Sequence, residues 1–325
     1  MDNLTHSLVG ALLGQAGLKR RTGLAMPALI VGANLPDVDA ACFFWLDGVE
    51  HLGFRRGIAH GPPALVLLPL ILAGALWAWD RGQAARGTRP EGRQPVRFGW
   101  LFALAFLACL THPALDWLNV YGIRLLEPFS SRWFYGDTLF IIDVWLWLGM
   151  GLAMWFSLRR ETRSGNWRRP ALIALTTSLV YINANLLLSR HVTFVARSTV
   201  PYLTKAIALP LPGAFWARDV IYQENSVVEV GWVSRRWSLF GGWQGGAEPL
   251  LSAGPSCLLP AQLLRFAPRH SGLRAFLFWS RAPYVVPARA GGPATLRDAR
   301  FSGVAGDRFA LRVPVPPASE NCGFE

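Results

Sequence analysis

Charged residues are scarce in this chain of 325 amino acids: they make up 16%, whereas hydrophobic residues make up 52%. An ordinary soluble domain carries about 25% charged residues, so the shortage argues against a typical water-soluble protein. The chain also has 15 Trp, 23 Pro and 32 Gly. Trp anchors helices at the lipid interface, and Gly and Pro are tolerated within membrane spans. The composition therefore predicts a membrane protein, long enough for two structural units.

The four cysteines include no CxxC pair, which argues against a thiolate zinc site. Cys42 and Cys109 stand in apolar surroundings and are expected to be small buried residues. Cys257 and Cys322 share the C-terminal region and could form a disulfide if that region lies outside the cytoplasm. The sequence leaves this pairing open.

Acidic residues are outnumbered, with 20 Asp and Glu against 32 Lys and Arg, and the net charge is +12. No finger spacing or aromatic-plus-basic module accompanies this charge, so we expect no nucleic-acid partner. Two short loops between apolar runs, residues 81–97 and 159–169, each hold five arginines. This is the positive-inside pattern, which predicts that both loops are cytoplasmic. Lys19 to Arg21 follow the first apolar stretch instead of preceding it, so we expect no cleaved signal peptide.

Apolar runs divide the first 190 residues. Two clear spanning helices are expected at Pro63–Trp79 and Leu139–Leu158. Further candidates for spanning helices are Phe98–Trp117 and Ala171–Ser189. Two shorter apolar helices are expected at Leu4–Leu18 and Leu24–Leu35. Beyond Ser189, alternating runs such as Ser226–Trp232, Gly-Gly steps and frequent Pro predict short strands and turns. The predicted fold is an α-helical multi-span membrane domain, residues 1–190, followed by a smaller β-rich extracytoplasmic domain, residues 191–325.

Histidines and aspartates gather at the ends of these helices that lie opposite the arginine loops. His6, for example, precedes Lys19 by thirteen positions, or about 20 Å of helix. Carboxylates at membrane depth are costly unless they are paired or functional. We therefore expect one metal site near the outer face, with ligands drawn from His6, Asp37, Asp39, His60, His112 and Asp116.

Each motif also has a simpler interpretation. His112 and Asp116, four apart, share one helix face and could bind an ion, although Asp116 could equally cap a helix end. Asp37 and Asp39 suit cation binding from an extended turn but could lie in a solvated turn. His60 stands between small residues that leave room for a metal.

Three further residues are candidates for the chemistry itself. Asp143 interrupts an apolar run and could act as general base or orient a ligating histidine, and Asp39 is the other candidate for the base. Arg56 and Arg132 could hold a phosphate, although arginines at a membrane surface also anchor lipid headgroups.

Several of these segments together resemble the YdjM-like family of membrane-bound, predicted metal-dependent hydrolases. The resemblance covers roughly residues 1–190 and is carried by Met1–His6, Pro36–Asp39, Arg56–His60, His112–Asp116, Asn119, Tyr121–Gly122 and Pro128–Ser130. It implies that the six histidines and aspartates named above are the metal ligands. Many relatives look like His-Arg-Gly where this chain has Arg55-Arg56-Gly57, so a ligand at position 55 is lost here. A more distant similarity to zinc-dependent phospholipase C depends on the HxxxD element alone.

The working hypothesis is a hydrolase of the inner membrane that uses a zinc-like ion to activate water against an ester or phosphoester. A site at the membrane interface suggests a lipid or lipid-linked substrate. Two other hypotheses remain open: an ion-binding or transport protein, because intramembrane Asp and His also mark ion paths, and a structural metal site that supports a partner-binding domain.

Overall fold

The structure, a computed structural model, describes residues 1–224, 232–250, 267–286, 294–302 and 309–313. The chain divides into two compact units that alternate along the sequence. The first unit comprises Met1–Asp39 and Arg56–Leu187, and the second comprises Ala40–Arg55 and Leu188–Glu325. The expected boundary at residue 190 lies close to the break before Leu188, whereas the short segment Ala40–Arg55 groups with the C-terminal residues.

Helices account for most of the first unit. In chain order, the helices of the described residues are α1 Asn3–Gln15, α2 Ala25–Gly32, α3 His51–Phe54, α4 Pro62–Ala85, α5 Phe98–Trp117, α6 Val144–Thr162, α7 Arg168–Thr199 and α8 Ser271–Trp279. Two 3-10 segments, Leu35–Phe44 and Ile58–His60, carry candidate ligands between them. Each of these two segments is joined to a neighbouring helix through a glycine or a proline, residues that interrupt a regular α-helix.

Three helices within the described residues are long and apolar enough to cross a membrane, namely α4, α5 and α7. A fourth span results if α2 and Leu35–Phe44, which are bent by 52°, count as one. The sequence also predicted a span over Leu139–Leu158, but α6 begins only at Val144 and is not among the candidates. Asp143 caps this helix, so fifteen uncharged residues, about 22 Å, precede Arg159, which is short of a hydrocarbon core of ~30 Å.

Basic residues lie together at one end of the helical unit. Lys19, just after α1, pairs with Glu161 in the last turn of α6 at 2.5 Å. Arg89 and Arg93, in the loop after α4, pair with Asp80 at 3.1 and 2.9 Å. Because α1, α4 and α6 all end here, their N-terminal ends lie at the opposite end of the unit, together with the C-terminal end of α5.

Small residues let the helices of this unit approach closely. Gly10 of α1 lies against the backbone of Leu29, and Gly32 of α2 lies against the backbone of Ala105 in α5. Close backbone approach through small residues is the usual way in which helices pack in membranes. Two apolar clusters follow, one that joins α2, α4 and α5 around Leu29 and one that joins α1, α5, α6 and α7 around Leu12.

Antiparallel strands are the main secondary structure among the described residues of the second unit, which confirms the β-rich C-terminal region. Within the described residues, one sheet has the order β1 Leu203–Leu211, β2 Ala214–Glu224, β3 Trp232–Ser238 and β4 Gly242–Pro249, and a second has β5 Pro283–Val286, β6 Ala294–Asp298 and β7 Leu311–Val313. Successive residues of β1 and β2 enter opposite clusters, as the two-residue period of a strand requires. Cys257 and Cys322 lie outside the described residues, as does most of Ser226–Trp232.

Candidate metal centre

The last turns of α5 bring His112 and Asp116 to one face, as their spacing predicts. His112 Nε2 lies 3.5 Å from Asp116 Oδ2, and both side chains are buried. The other ring nitrogen, His112 Nδ1, lies 2.8 Å from the carbonyl oxygen of Ala33. Since a carbonyl accepts only, Nδ1 carries a proton, and in the neutral ring this leaves Nε2 with the lone pair that can bind a metal ion.

His6 reaches the same point from α1. Asp2 caps this helix by accepting hydrogen bonds from the backbone N–H groups of Leu4 and Thr5, and Trp147 of α6 donates its indole N–H to Thr5 at 3.0 Å. These contacts fix the first turn of α1. They place the His6 ring stacked on His112, with centroids 3.8 Å apart.

The 3-10 turn before α4 supplies a third imidazole. His60 Nε2 lies 3.6 Å from Asp116 Oδ2, and His60 Nδ1 lies 3.4 Å from Asp39 Oδ2. Burial lowers the pKa of His60 even though Asp116 and Asp39 favour its protonated form. A neutral imidazole is the form that binds a metal ion.

Asp37 and Asp39 approach the cluster from the segment after α2. Asp37 Oδ1 lies 3.8 Å from His112 Nε2, and Asp39 accepts a hydrogen bond from the backbone N–H of Arg56 at 2.6 Å. Asn34 ties this segment to α1 by donating to the hydroxyl of Ser7 at 3.0 Å. The turn therefore holds its two carboxylates toward the histidines rather than toward solvent.

Two overlapping groups of side chains in this cluster could each hold a metal ion: His6, Asp37 and His112, and His60, His112 and Asp116. Within each group, the candidate ligand atoms lie within 4.8 Å of one another. Among the described residues, neither ring nitrogen of His6 or His60, nor Nε2 of His112, has a hydrogen-bond partner although all are buried. Burying a polar nitrogen without a partner is costly, and a metal ion would satisfy one nitrogen of each ring.

Arg56 supplies positive charge beside the carboxylates. Its guanidinium lies 3.1 Å from Asp116 Oδ2 and donates to Asn119 Oδ1 at 2.9 Å, and it sits over the ring of Tyr121 at 4.6 Å. The amino group of Met1 also contacts Asp116. The backbone φ of Arg56 is 55°, a sparsely populated region for a non-glycine residue. Such strain at a buried charged residue is typical of functional sites.

Asp143 and Arg132 make their contacts with residues outside this cluster. The Asp143 carboxylate accepts hydrogen bonds from the backbone N–H groups of Trp145 and Leu146 and from the Tyr181 hydroxyl at 3.0 Å. In the structure, Asp143 therefore caps the N-terminus of α6. Arg132 is exposed and lies 5.5 Å from the ring of Phe134. A catalytic role for Asp143 and a phosphate contact for Arg132 stay predictions.

Two supporting groups were not assigned a role from the sequence. Asn119 accepts hydrogen bonds from Arg56 and from the backbone N–H of Tyr121, and so connects the guanidinium to the turn after α5. Its position three residues after Asp116, at a helix end, and its place among the residues that carry the family resemblance are signals that could have indicated this role. The carbonyl of Ala33 has no sequence signal, because every residue carries one.

Comparison with known proteins bears on the same part of the chain that holds the cluster. The profile of the YdjM inner membrane protein family matches residues 1–192. The chain belongs to the YdjM inner membrane protein family. All six candidate ligands lie within the YdjM-matched residues, whereas most of the second compact unit lies beyond them. Family membership and the apolar helices together identify an inner membrane protein.

One curated relative is an uncharacterized protein, YfhP, from Bacillus subtilis (strain 168). The two sequences are 26% identical over 167 residues, which cover 48% of this chain and 47% of YfhP. The chain thus matches about half the length of this relative, whose name assigns no activity. No solved structure matches the chain.

Proposed function

We propose that this YdjM-family protein is a membrane-bound, metal-dependent hydrolase that cleaves an ester or phosphoester. One observation supports the proposal most directly. Three buried histidines converge on Asp116, and both ring nitrogens of His6 and His60, together with Nε2 of His112, have no hydrogen-bond partner among the described residues. Histidine and carboxylate ligands of this kind suit zinc, and they argue for a borderline metal over magnesium or calcium, which prefer all-oxygen sites.

His6, His60, His112 and Asp116 would hold the metal together with Asp37 or Asp39. The Ala33 carbonyl keeps His112 in the tautomer whose Nε2 is free to bind, which is the usual work of a supporting contact at a metal site. When bound, a zinc-like ion supplies Lewis acidity that lowers the pKa of water and polarises the oxygen of a scissile ester.

Asp39 is the better candidate for the general base. It lies 3.4 Å from a ring nitrogen of His60, whereas Asp143 is occupied by the N-terminal backbone of α6. Arg56, between Asp39 and Asp116, holds both carboxylates in place, through its backbone N–H and its guanidinium respectively. In this arrangement, Arg56 orients the acids, and any contact with a substrate phosphate would need part of its guanidinium to leave Asp116.

A lipid or lipid-linked ester is the proposed substrate. His112 and Asp116 lie in the last turns of the spanning helix α5, and His60 lies directly before the spanning helix α4. Helix ends of this kind lie near the membrane surface, where the ester and phosphate groups of lipids are found. The cluster lies at the end of the helical unit opposite Lys19 and Arg93, which places it outside the cytoplasm if the basic end is cytoplasmic.

The test uses the full chain purified in detergent with bound zinc. Hydrolysis of phosphoester and phospholipid substrates should be lost on chelation and restored by added zinc. His112→Ala should lose activity, and His191→Ala is the matched control because His191 lies outside the cluster, against Trp237 of the second unit. Asp39→Asn should lower the rate far more than Asp143→Asn. Zinc binding with no hydrolysis across the panel would favour a structural metal site.

A further inference from the structure

A groove of about 580 Å³ separates α6 from α7, in the first unit and away from the histidine cluster. Its lining is mostly small or apolar side chains with two arginines. The residues are Gly149, Ala153, Phe156, Arg160, Arg169, Pro170, Ile173, Ala174 and Thr177. None of these residues belongs to the candidate metal centre, so the groove needs an explanation of its own.

Both walls of the groove follow helical periodicity. On α6, Gly149, Ala153, Phe156 and Arg160 are spaced by four, three and four residues, which places them on one face. Arg160 lies eleven residues after Gly149, so the wall is about 16 Å long. This length is close to half of a hydrocarbon core of ~30 Å, or the depth of one lipid leaflet.

Positive charge is confined to one end of the groove. Arg160 stands in the last turns of α6 and Arg169 in the first turn of α7, and both side chains are exposed. Within the part of the chain that the structure describes, neither arginine pairs with an acid. The nearest acid in sequence, Glu161, is already paired with Lys19. Two guanidinium groups therefore face outward at the end of an apolar channel.

We propose that this groove binds an anionic phospholipid of the surrounding bilayer, with an acyl chain along the apolar walls and the phosphate at Arg160 and Arg169. Guanidinium groups bind phosphate oxygens in bidentate fashion, and basic pockets between helices recognise anionic headgroups. Gly149 and Ala153 leave the width that an acyl chain needs. A side chain added at Gly149 would meet no heavy atom within 4 Å, so the space is open to lipid.

Filling the groove tests the acyl-chain part of the proposal. Gly149→Leu places a side chain in the channel, whereas Gly151→Leu is the matched control. Gly151 also has no heavy atom within 4 Å of an added Cβ but lies outside the groove lining, two residues along the same helix. The full chain is exchanged into bilayer nanodiscs of phosphatidylcholine with phosphatidylglycerol and released for native mass spectrometry. We expect wild type and Gly151→Leu to retain one phosphatidylglycerol and Gly149→Leu to lose it.

The headgroup part is tested by charge. Arg160→Gln and Arg169→Gln should each lower the preference for phosphatidylglycerol over phosphatidylcholine by about fivefold. Arg163→Gln removes the same charge at the same end without touching the groove, and it should leave the preference unchanged. Equal lipid retention by Gly149→Leu and Gly151→Leu would overturn the proposal. So would equal retention of both lipids by wild type. Neither result depends on the metal centre.

Discussion

Gly10→Ala tests how helix packing positions the metal centre. Gly10 lies one turn after His6 on the same face of α1, where it contacts α2. A Cβ at this position would lie 2.5 Å from the carbonyl oxygen of Leu29 and 3.1 Å from the Cα of Ile30. Both are backbone atoms, so a side-chain rotation cannot relieve the overlap.

The magnitude follows from these distances. Ordinary van der Waals contact begins at 3.4 Å, so α1 and α2 must separate by about 0.9 Å. Overpacking of this kind costs about 1–3 kcal/mol, more than the ~0.5–1 kcal/mol that Ala gains over Gly within a helix. The same shift moves His6 relative to the segment with Asp37, which lies just beyond α2. A displacement near 1 Å is enough to weaken a metal site severely.

Thermal unfolding and metal content of the purified protein measure the two effects. Gly10→Ala should unfold at a lower temperature and bind less zinc than wild type. Gly74→Ala, on α4, is the control, because an added Cβ there meets no atom within 4 Å. It should keep its zinc and unfold at or slightly above the wild-type temperature. If the two variants behave alike, the proposed link between close helix packing and ligand placement is refuted.

Three further predictions concern charge. Arg56→Lys keeps the positive charge but removes the planar guanidinium that binds Asp116. The variant should lower the free energy of unfolding by about 1–3 kcal/mol, as measured by thermal unfolding. In the second unit, burial favours protonation of Asp298, but the guanidinium of Arg300 at 2.8 Å outweighs it and holds the pKa of Asp298 below its ordinary value. Its contribution to stability is therefore full above about pH 4 and lost as pH falls further, a dependence that Asp298→Asn should remove from acid titrations followed by tryptophan fluorescence. Gly87→Cys, in the loop after α4, should be shielded from an impermeant thiol reagent in intact cells, and labelling there would contradict a cytoplasmic basic end.

The sequence was a good guide wherever one helix sets the geometry. His112 and Asp116 share a face because four residues make about one helical turn, and they lie 3.5 Å apart in the structure. The common level of His6, His60 and Asp116 followed from counting residues away from the basic loops. The helical region, the apolar spans at α4, α5 and α7, and the later strands were likewise predictable from periodicity and composition.

Contacts between segments that are distant in the sequence could not be predicted in this way. Asp143 looked like an acid placed in an apolar span, but it is an N-cap, and the apolar part of the helix that it begins is too short for that helix to count among the spans. The segment Ala40–Arg55 groups with the C-terminal unit, where Gly53 contacts Ala275 of α8. Pairings across more than two hundred residues leave no local pattern in a single sequence.

Metal content is the most direct test of the central claim, that separate chain segments build one metal centre. The full chain purified without added chelator is measured by inductively coupled plasma mass spectrometry, alongside His6→Ala, His60→Ala and His112→Ala. We predict at least one zinc-like ion per wild-type chain and loss of metal in each variant, because each removes an imidazole from the same cluster. Metal-free wild-type protein that fails to bind added zinc would contradict the account.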